Sequence, residues 1–318
     1  MSTAQPTQEP GQTTEFPLTG LFHLLVIYII WGSTYLAIRV AVQEGSGFPP
    51  FSMAASRTLL GGGILLFLTG LRGRRLRLTR REFWILLASG VLLWVGGSGL
   101  VTWAETRADS GYAALVIATI PLWVAVIEAV IDRHPPTPLL VASLFVGLAG
   151  IGVLSWSQVS RGDARDVAAF GALMLAPVLW AGGTVLQRRQ PFGVSPRVSA
   201  GYQQLFAGAV LILVALLTNE PAPQPAPDAM AAWVYLVIFG SVIAFSSYVA
   251  ALRILPTRIV ATYAYVNPVI AVILGAVVLD EAITASTLAG MVLVLLGVAG
   301  VFRATYRARP KPVPTPVR

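Results

Sequence analysis

The residue hardest to place in this sequence is Arg57, which falls inside the apolar run 49–71. Read as a helix rising 1.5 Å per residue, that run puts Arg57 about 4–5 Å from its midpoint near Leu60. An arginine at the centre of a membrane helix costs at least about 2.5–3.5 kcal/mol, so its side chain must face protein or a water-filled cavity. The chemistry this offers is an anion-binding or gating cation; the plainer alternative is a buried guanidinium satisfied by helix-end carbonyls. Arg39 lies nearer the end of its run, where its head can reach the interface. Two acids complete the set. Glu105 follows the third apolar run, close to Trp103, and is suited to pair with Arg39 or Arg57 or to hold a cationic solute. A solvated pair with Arg107 would account for it equally well. Glu128 lies about one turn from the end of the fourth run. Burial there would raise its pKa and make it a candidate for proton coupling; a side chain that simply reaches the interface is the bland reading.

Aromatic and hydroxyl side chains recur at helical spacing around these charges. Trp31 and Tyr35, Trp180 and Thr184, and Tyr263 and Asn267 are each four apart, so each pair shares a helix face. Ser33 and Thr34 accompany the first pair, while Ser98, Thr102 and Ser247 add hydroxyls on other runs. Trp31 and Trp180 sit too near the middle of their runs for an interfacial belt. Lining of a cavity for an aromatic or cationic amphiphile is the sharper expectation; interhelical packing and hydrogen bonding is the alternative. Pro121 and Pro268 occupy corresponding places in two runs. Proline removes one intrahelical hydrogen bond and frees a carbonyl one turn back. Freed backbone groups persist in a membrane only where protein or a cavity satisfies them, and breaks at matching positions in two halves point to a transport site. A kink that serves packing alone competes with that reading.

This inventory suits binding rather than bond making. Gly96-Gly97-Ser98-Gly99 looks like the Gly-x-Ser-Gly pattern of an intramembrane serine protease of the rhomboid type. A serine nucleophile needs a base within hydrogen-bond reach. The two histidines, His23 at the start of the first run and His134 between runs, lie at unsuitable depths. Two histidines and no cysteine also leave only scattered carboxylates as metal ligands. No Gly-x4-Gly-Lys-Ser/Thr loop is present to hold ATP. The expectation is therefore no enzyme, no metal and no cofactor.

The elements that must position these residues are membrane helices. Of 318 residues, 56% are apolar and 11% charged, whereas a soluble domain has about 25% charged. Ten apolar runs of roughly spanning length are readable: 18–42, 49–71, 83–104, 110–131, 139–157, 168–187, 198–218, 229–252, 259–279 and 287–304. The expected fold is thus all-α and integral to a membrane, with a disordered tail at 1–17 and a basic tail at 305–318. Residues 1–17 are polar and lack a basic region, unlike a cleavable signal peptide. The net charge of +8 does not imply nucleic acid, because it is sorted by side. With the N-terminus in the cytoplasm, seventeen of the 22 basic residues fall on that side and Arg107, Arg161 and Arg165 on the other. That bias places both termini in the cytoplasm. The segment Arg72–Arg77 is read as a topology anchor, with anionic lipid or RNA binding as the alternative.

The two halves repeat. Gly111–Pro121 aligns with Val260–Pro268, Trp31–Arg39 with Trp180–Arg188, and Gly147-Leu148-Ala149-Gly150 with Gly297-Val298-Ala299-Gly300. Each half, 18–157 and 168–304, holds five runs, an odd number, so the second must enter the membrane upside down. Inverted repeats that hold a solute near the midplane are a common architecture of secondary transporters.

Tyr28-Ile29-Ile30-Trp31-Gly32-Ser33-Thr34-Tyr35, Ser98–Glu105, Ala118–Leu122, Phe239–Ala244 and Ala261–Val269 together resemble the EamA-domain branch of the drug/metabolite transporter superfamily. Within it they look most like inner-membrane carriers of the YedA type. The resemblance implies ten helices in two EamA repeats, an inner-membrane location and alternating-access export of a small organic metabolite, amino acid or drug. The expected partners are that solute, membrane lipids and, as a candidate coupling ion, protons. An uptake permease or a channel is the alternative.

Overall fold

The computed structural model describes residues 17–133, 137–159, 164–190, 193–255, 257–260 and 262–307. Most of both expected tails, together with His134 and Arg161, lies outside the described residues. Within them every regular element is helical. This follows from the solvent: hydrocarbon offers no partner to a backbone N–H or C=O, and a helix satisfies them within one segment.

In chain order the elements are α1 (Leu18–Val42), α2 (Pro50–Leu71) and α3 (Arg80–Gly90), which continues through a π-helical stretch, Val91–Gly99, into α4 (Leu100–Ala104). Then come α5 (Ser110–Ile117), α6 (Ile120–Ile131), α7 (Pro138–Val159), α8 (Ala164–Arg188), α9 (Pro196–Leu217) and α10 (Pro227–Tyr235). A second π-helical stretch, Leu236–Ala244, leads into α11 (Phe245–Ile254), followed by α12 (Thr257–Val260), α13 (Tyr263–Leu279) and α14 (Ala285–Arg307). Among the described residues seven helices are long and apolar enough to cross a membrane: Leu18–Val42, Pro50–Leu71, Arg80–Ala104, Ser110–Ile131, Val167–Arg188, Pro196–Leu217 and Pro227–Ile254. The other three expected runs coincide with shorter apolar helices, Pro138–Val153, Val266–Leu279 and Ala285–Gly300.

The closest packing joins elements from different halves. α7 lies along α14 and α2 along α9, while the first π stretch meets α8 and α1 meets α13. Small residues make this possible, since lipid supplies no hydrophobic drive and helices must gain by close contact. A Cβ added to Gly297 of α14 would fall 2.7 Å from the Cα of Gly147 on α7. One added to Gly62 of α2 would fall 2.7 Å from the carbonyl oxygen of Gly201 on α9.

Acidic side chains from distant loops close the helix ends. Glu220, after α9, accepts from the main-chain N–H groups of Phe51 (2.8 Å) and Ser52 (2.7 Å) at the start of α2. Glu281, after α13, accepts from Ser110 N (2.8 Å), Ser110 Oγ (2.9 Å) and Gly111 N (3.2 Å) at the start of α5. These carboxylates satisfy donors that a helix start leaves open and complement its positive end. Glu82 does the same within α3, forming a capping box with Thr79.

Candidate functional site

A small cavity of about 60 Å³ lies among α1, α2, the first π stretch, α4, α8 and α13. Its walls include Trp31, Thr34, Tyr35, Arg57, Ser98, Trp180 and Tyr263, seven of the thirteen residues expected from sequence to touch solute. Two of these walls, Trp180 and Tyr263, come from the second half of the chain. The volume is well below the roughly 300–1,000 Å³ of pockets that hold drug-sized ligands. A solute of that size requires the walls to part.

Aromatic rings dominate the lining. The Trp31 ring is 5.5 Å from Trp180 and 5.3 Å from Tyr263, both edge to face, and 4.9 Å from Tyr248. Edge-to-face pairs at these separations are favourable because each ring has a negative face and a positive rim. Trp94 extends the cluster, 4.8 Å from Phe245 and 6.4 Å from Trp180.

Arg57 is tied to both π-helical stretches at once. Its guanidinium carbon stands 5.3 Å from the Trp94 ring centre, in the first stretch. Its Nε donates to Ser241 Oγ at 3.0 Å, in the second. Arg57 is only 4% exposed, so both contacts form away from water, where a cation over a ring is worth the most. Gly240, beside Ser241, leaves the room: a Cβ there would fall 2.9 Å from Arg57 Nη2. π-helical turns inside α-helices recur at functional sites. Here they bring Trp94 and Ser241 to one buried cation, with Ser98 in the same cavity wall.

Glu105 lies one turn beyond Val101, which lines the cavity. It is 0% exposed, not a solvated partner of Arg107. Arg39 donates to its main-chain carbonyl, and neither carboxylate oxygen has a hydrogen-bond partner among the described residues. Glu128 pairs instead with Arg188 of α8, and Asp132 accepts from Arg189 at 2.8 and 2.7 Å, so charges clasp the ends of α6 and α8.

The remaining expected residues stand behind the cavity wall. Thr102 Oγ1 donates to the Ser98 carbonyl at 2.9 Å, and Ser33 Oγ meets Tyr235 Oη at 2.6 Å. Thr184 Oγ1 donates to the Trp180 carbonyl at 2.8 Å and shares a 2.9 Å hydrogen bond with Tyr248. Ser247 is buried on α11 outside the lining. The Asn267 amide, turned as its neighbours require, donates to the carbonyls of Tyr263 and Tyr28, each at 3.3 Å, and so ties α13 to α1. Pro121 sits in the first turn of α6, next to the interruption at Ala118–Thr119, whereas Pro268 lies inside α13. The sequence groups Tyr248 with the other hydroxyls of its run, whereas Trp94 and Ser241 are not singled out by it. Trp94 is four residues before Ser98, a spacing that shares a face, and Ser241 lies within the Phe239–Ala244 stretch that resembles the family.

Residues 18–156 and 168–303 each match the EamA-like transporter family. The chain belongs to that family. Among its relatives, "Uncharacterized inner membrane transporter YedA" of Escherichia coli is 33% identical over 305 residues, 95% of each chain. "Uncharacterized transporter YoaV" of Bacillus subtilis is 22% identical, over 86% of this chain and 94% of its own. "Probable terminal-alkyne amino-acid exporter" of Streptantibioticus cattleyicolor is 26% identical, over 90% of this chain and 94% of its own. A solved crystal structure with 23% identity superposes with a TM-score of 0.66, over 92% of this chain and 99% of that one, a likeness of fold alone. This EamA-like protein is accordingly a membrane transporter and not an enzyme. Its helices long enough to cross a membrane fit that assignment.

Proposed function

We propose that the chain is a secondary carrier that exports a small organic solute by alternating access. It crosses the inner membrane ten times, with both termini in the cytoplasm. Repeats 18–157 and 168–304 lie in opposite orientations around a shared site. The observation that carries this reading is an aromatic-lined cavity built from both halves, with Arg57 tied to Trp94 and to Ser241. A buried cation beside aromatic faces suits a solute carrying an anionic group and an apolar or aromatic body. The relative named as a probable exporter of an amino acid supports both the direction and the size of cargo.

The small cavity volume agrees with a closed state of a carrier. Alternating access requires that the site be sealed while it changes sides, and inverted repeats supply two equivalent ways of opening it. The ion pairs between α6 and α8 then act as an inner clasp that must break when the site faces the cytoplasm.

A thermal-shift screen of amino acids, nucleosides and aromatic acids on purified protein tests the proposal, since a ligand bound only by the folded state raises its melting temperature. A hit that shifts the wild type but not Arg57→Ala, and that is counterflowed by reconstituted vesicles, supports it. Hits that bind Arg57→Ala equally well remove Arg57 from the site.

A further inference from the structure

The Glu105 carboxylate is enclosed by protein yet has no hydrogen-bond partner on either oxygen among the described residues. Native structures seldom leave a buried polar group in that condition without a use for it. An unpaired anion there is costly to bury, whereas a neutral acid is far cheaper. The Arg39 guanidinium, although adjacent, is spent on the main-chain carbonyl of Glu105 rather than on its side chain.

We infer that Glu105 is the group that takes up and releases the coupling proton, an inference that rests on the carrier reading above. Its position suits the task. Val101, one turn earlier, lines the cavity, and so do Tyr35 and Arg57, both electrostatically coupled to Glu105. On the other side, a second cavity of about 120 Å³ is lined by Asp109 and Glu281. Glu105 thus stands between the solute cavity and a polar vestibule.

The charges that face it come from every neighbouring element. α1 supplies Tyr35 and Arg39, α2 supplies Arg57, and the loop after α13 supplies Glu281; Asp109, four residues on, interacts with the same Arg39 and Glu281. α8 also packs on α4, but residues 167–187 carry no charged side chain. Burial, and then the Glu281 carboxylate, push Glu105 well above the ordinary carboxylate range, against the pull of Arg39 and Arg57. Three donors at the start of α5 hold the Glu281 side chain in place.

In the closed state the acid keeps its proton. When the inner ends part, water reaches the acid through the solute cavity. The O–H bond of the Glu105 acid breaks, its proton passes to that water, and the carboxylate left behind turns to Arg39 or Arg57. When the outer ends part, water in the vestibule returns a proton to the carboxylate. Each cycle thus carries one proton inward, and the conformational change is coupled to the proton gradient. Glu128 is not suited to this role, since it is part-exposed and paired with Arg188.

Dicyclohexylcarbodiimide, which reacts with protonated carboxyls in apolar surroundings, tests this on the intact protein without knowledge of the solute. Peptide mass spectrometry should find the adduct on Glu105 at neutral pH. Labelling should fall about tenfold per pH unit once the pH passes the group's pKa. Glu105→Gln should lose the adduct while Glu128→Gln keeps it. Reconstituted vesicles under an imposed pH gradient should then show gradient-driven counterflow of a screen hit in wild type but gradient-independent exchange in Glu105→Gln. No adduct at Glu105, or labelling unchanged from about pH 5 to about pH 9, overturns the inference. Vesicles that exchange solute with no response to the gradient overturn it too but leave the carrier reading standing. A pH-dependent adduct in protein that moves no solute would instead sink the carrier reading.

Discussion

The guanidinium of Arg57 lies over the ring of Trp94 at 5.3 Å, and both side chains line the same cavity. One is the most costly cation in the sequence; the other is 2% exposed. If the pair forms the solute's polar anchor, Arg57→Ala and Trp94→Leu should each weaken ligand binding. A buried cation–π contact contributes about 2 kcal/mol, or close to thirtyfold in affinity. Titration of both variants with a screen hit, beside a melting curve showing intact protein, checks this.

Gly240 provides an independent handle on the same guanidinium. Its substitution by alanine sets a methyl group 2.9 Å from Arg57 Nη2 and should displace it. Gly240→Ala is therefore expected to lose affinity much as Arg57→Ala does. Because both act on one contact, the double variant should lose little more than either single one, which a double-mutant cycle measures.

Two polar residues should act on stability instead of binding. Glu220→Ala opens the start of α2, and loss of such a cap costs about 0.5–2 kcal/mol. Asn267→Ala removes the amide that joins the Tyr28 and Tyr263 carbonyls, with a cost of about 1–3 kcal/mol for acceptors left buried. Melting temperatures of both variants should drop, while the affinity of the remaining folded protein for a screen hit should change less than in Arg57→Ala.

Asp109 predicts a dependence on pH. Burial, then the Glu281 carboxylate, raise its pKa, with Arg39 opposing. A group whose folded pKa exceeds its unfolded value stabilises the fold fully below the unfolded pKa and loses that contribution as pH rises through the folded one. Asp109→Asn should thus melt like wild type in acid, below the ordinary carboxylate range, and at a higher temperature once the pH has passed the raised pKa. A melting series across pH would detect the crossover.

Much of this architecture is legible in the chain. Apolar run length and the aligned motifs place the helices, because hydrocarbon permits little else, and the isolated Arg57 marks the cavity by its cost alone. What the chain does not reveal is the local winding. Nothing in the composition of Val91–Gly99 or Leu236–Ala244 announces a π-helical turn, and that geometry is what turns Trp94 and Ser241 toward Arg57. Spacing by four likewise groups Tyr263 with Asn267, yet cannot say that the amide is consumed by backbone carbonyls. For Glu105 the sequence leaves a solvated loop acid and a carboxylate working beside Arg39 or Arg57 equally open, since only tertiary packing shows its burial.

The native chain has no cysteine, so paired spin labels can be introduced without altering a background. Distances between Arg107 and Ala282, at one end of the bundle, and between Arg133 and Arg253, at the other, report the two ends separately by double electron–electron resonance. A carrier should show short and long populations at each end, and conditions that lengthen one pair should shorten the other. A single fixed distance at both ends, or ends that open together, would contradict alternating access.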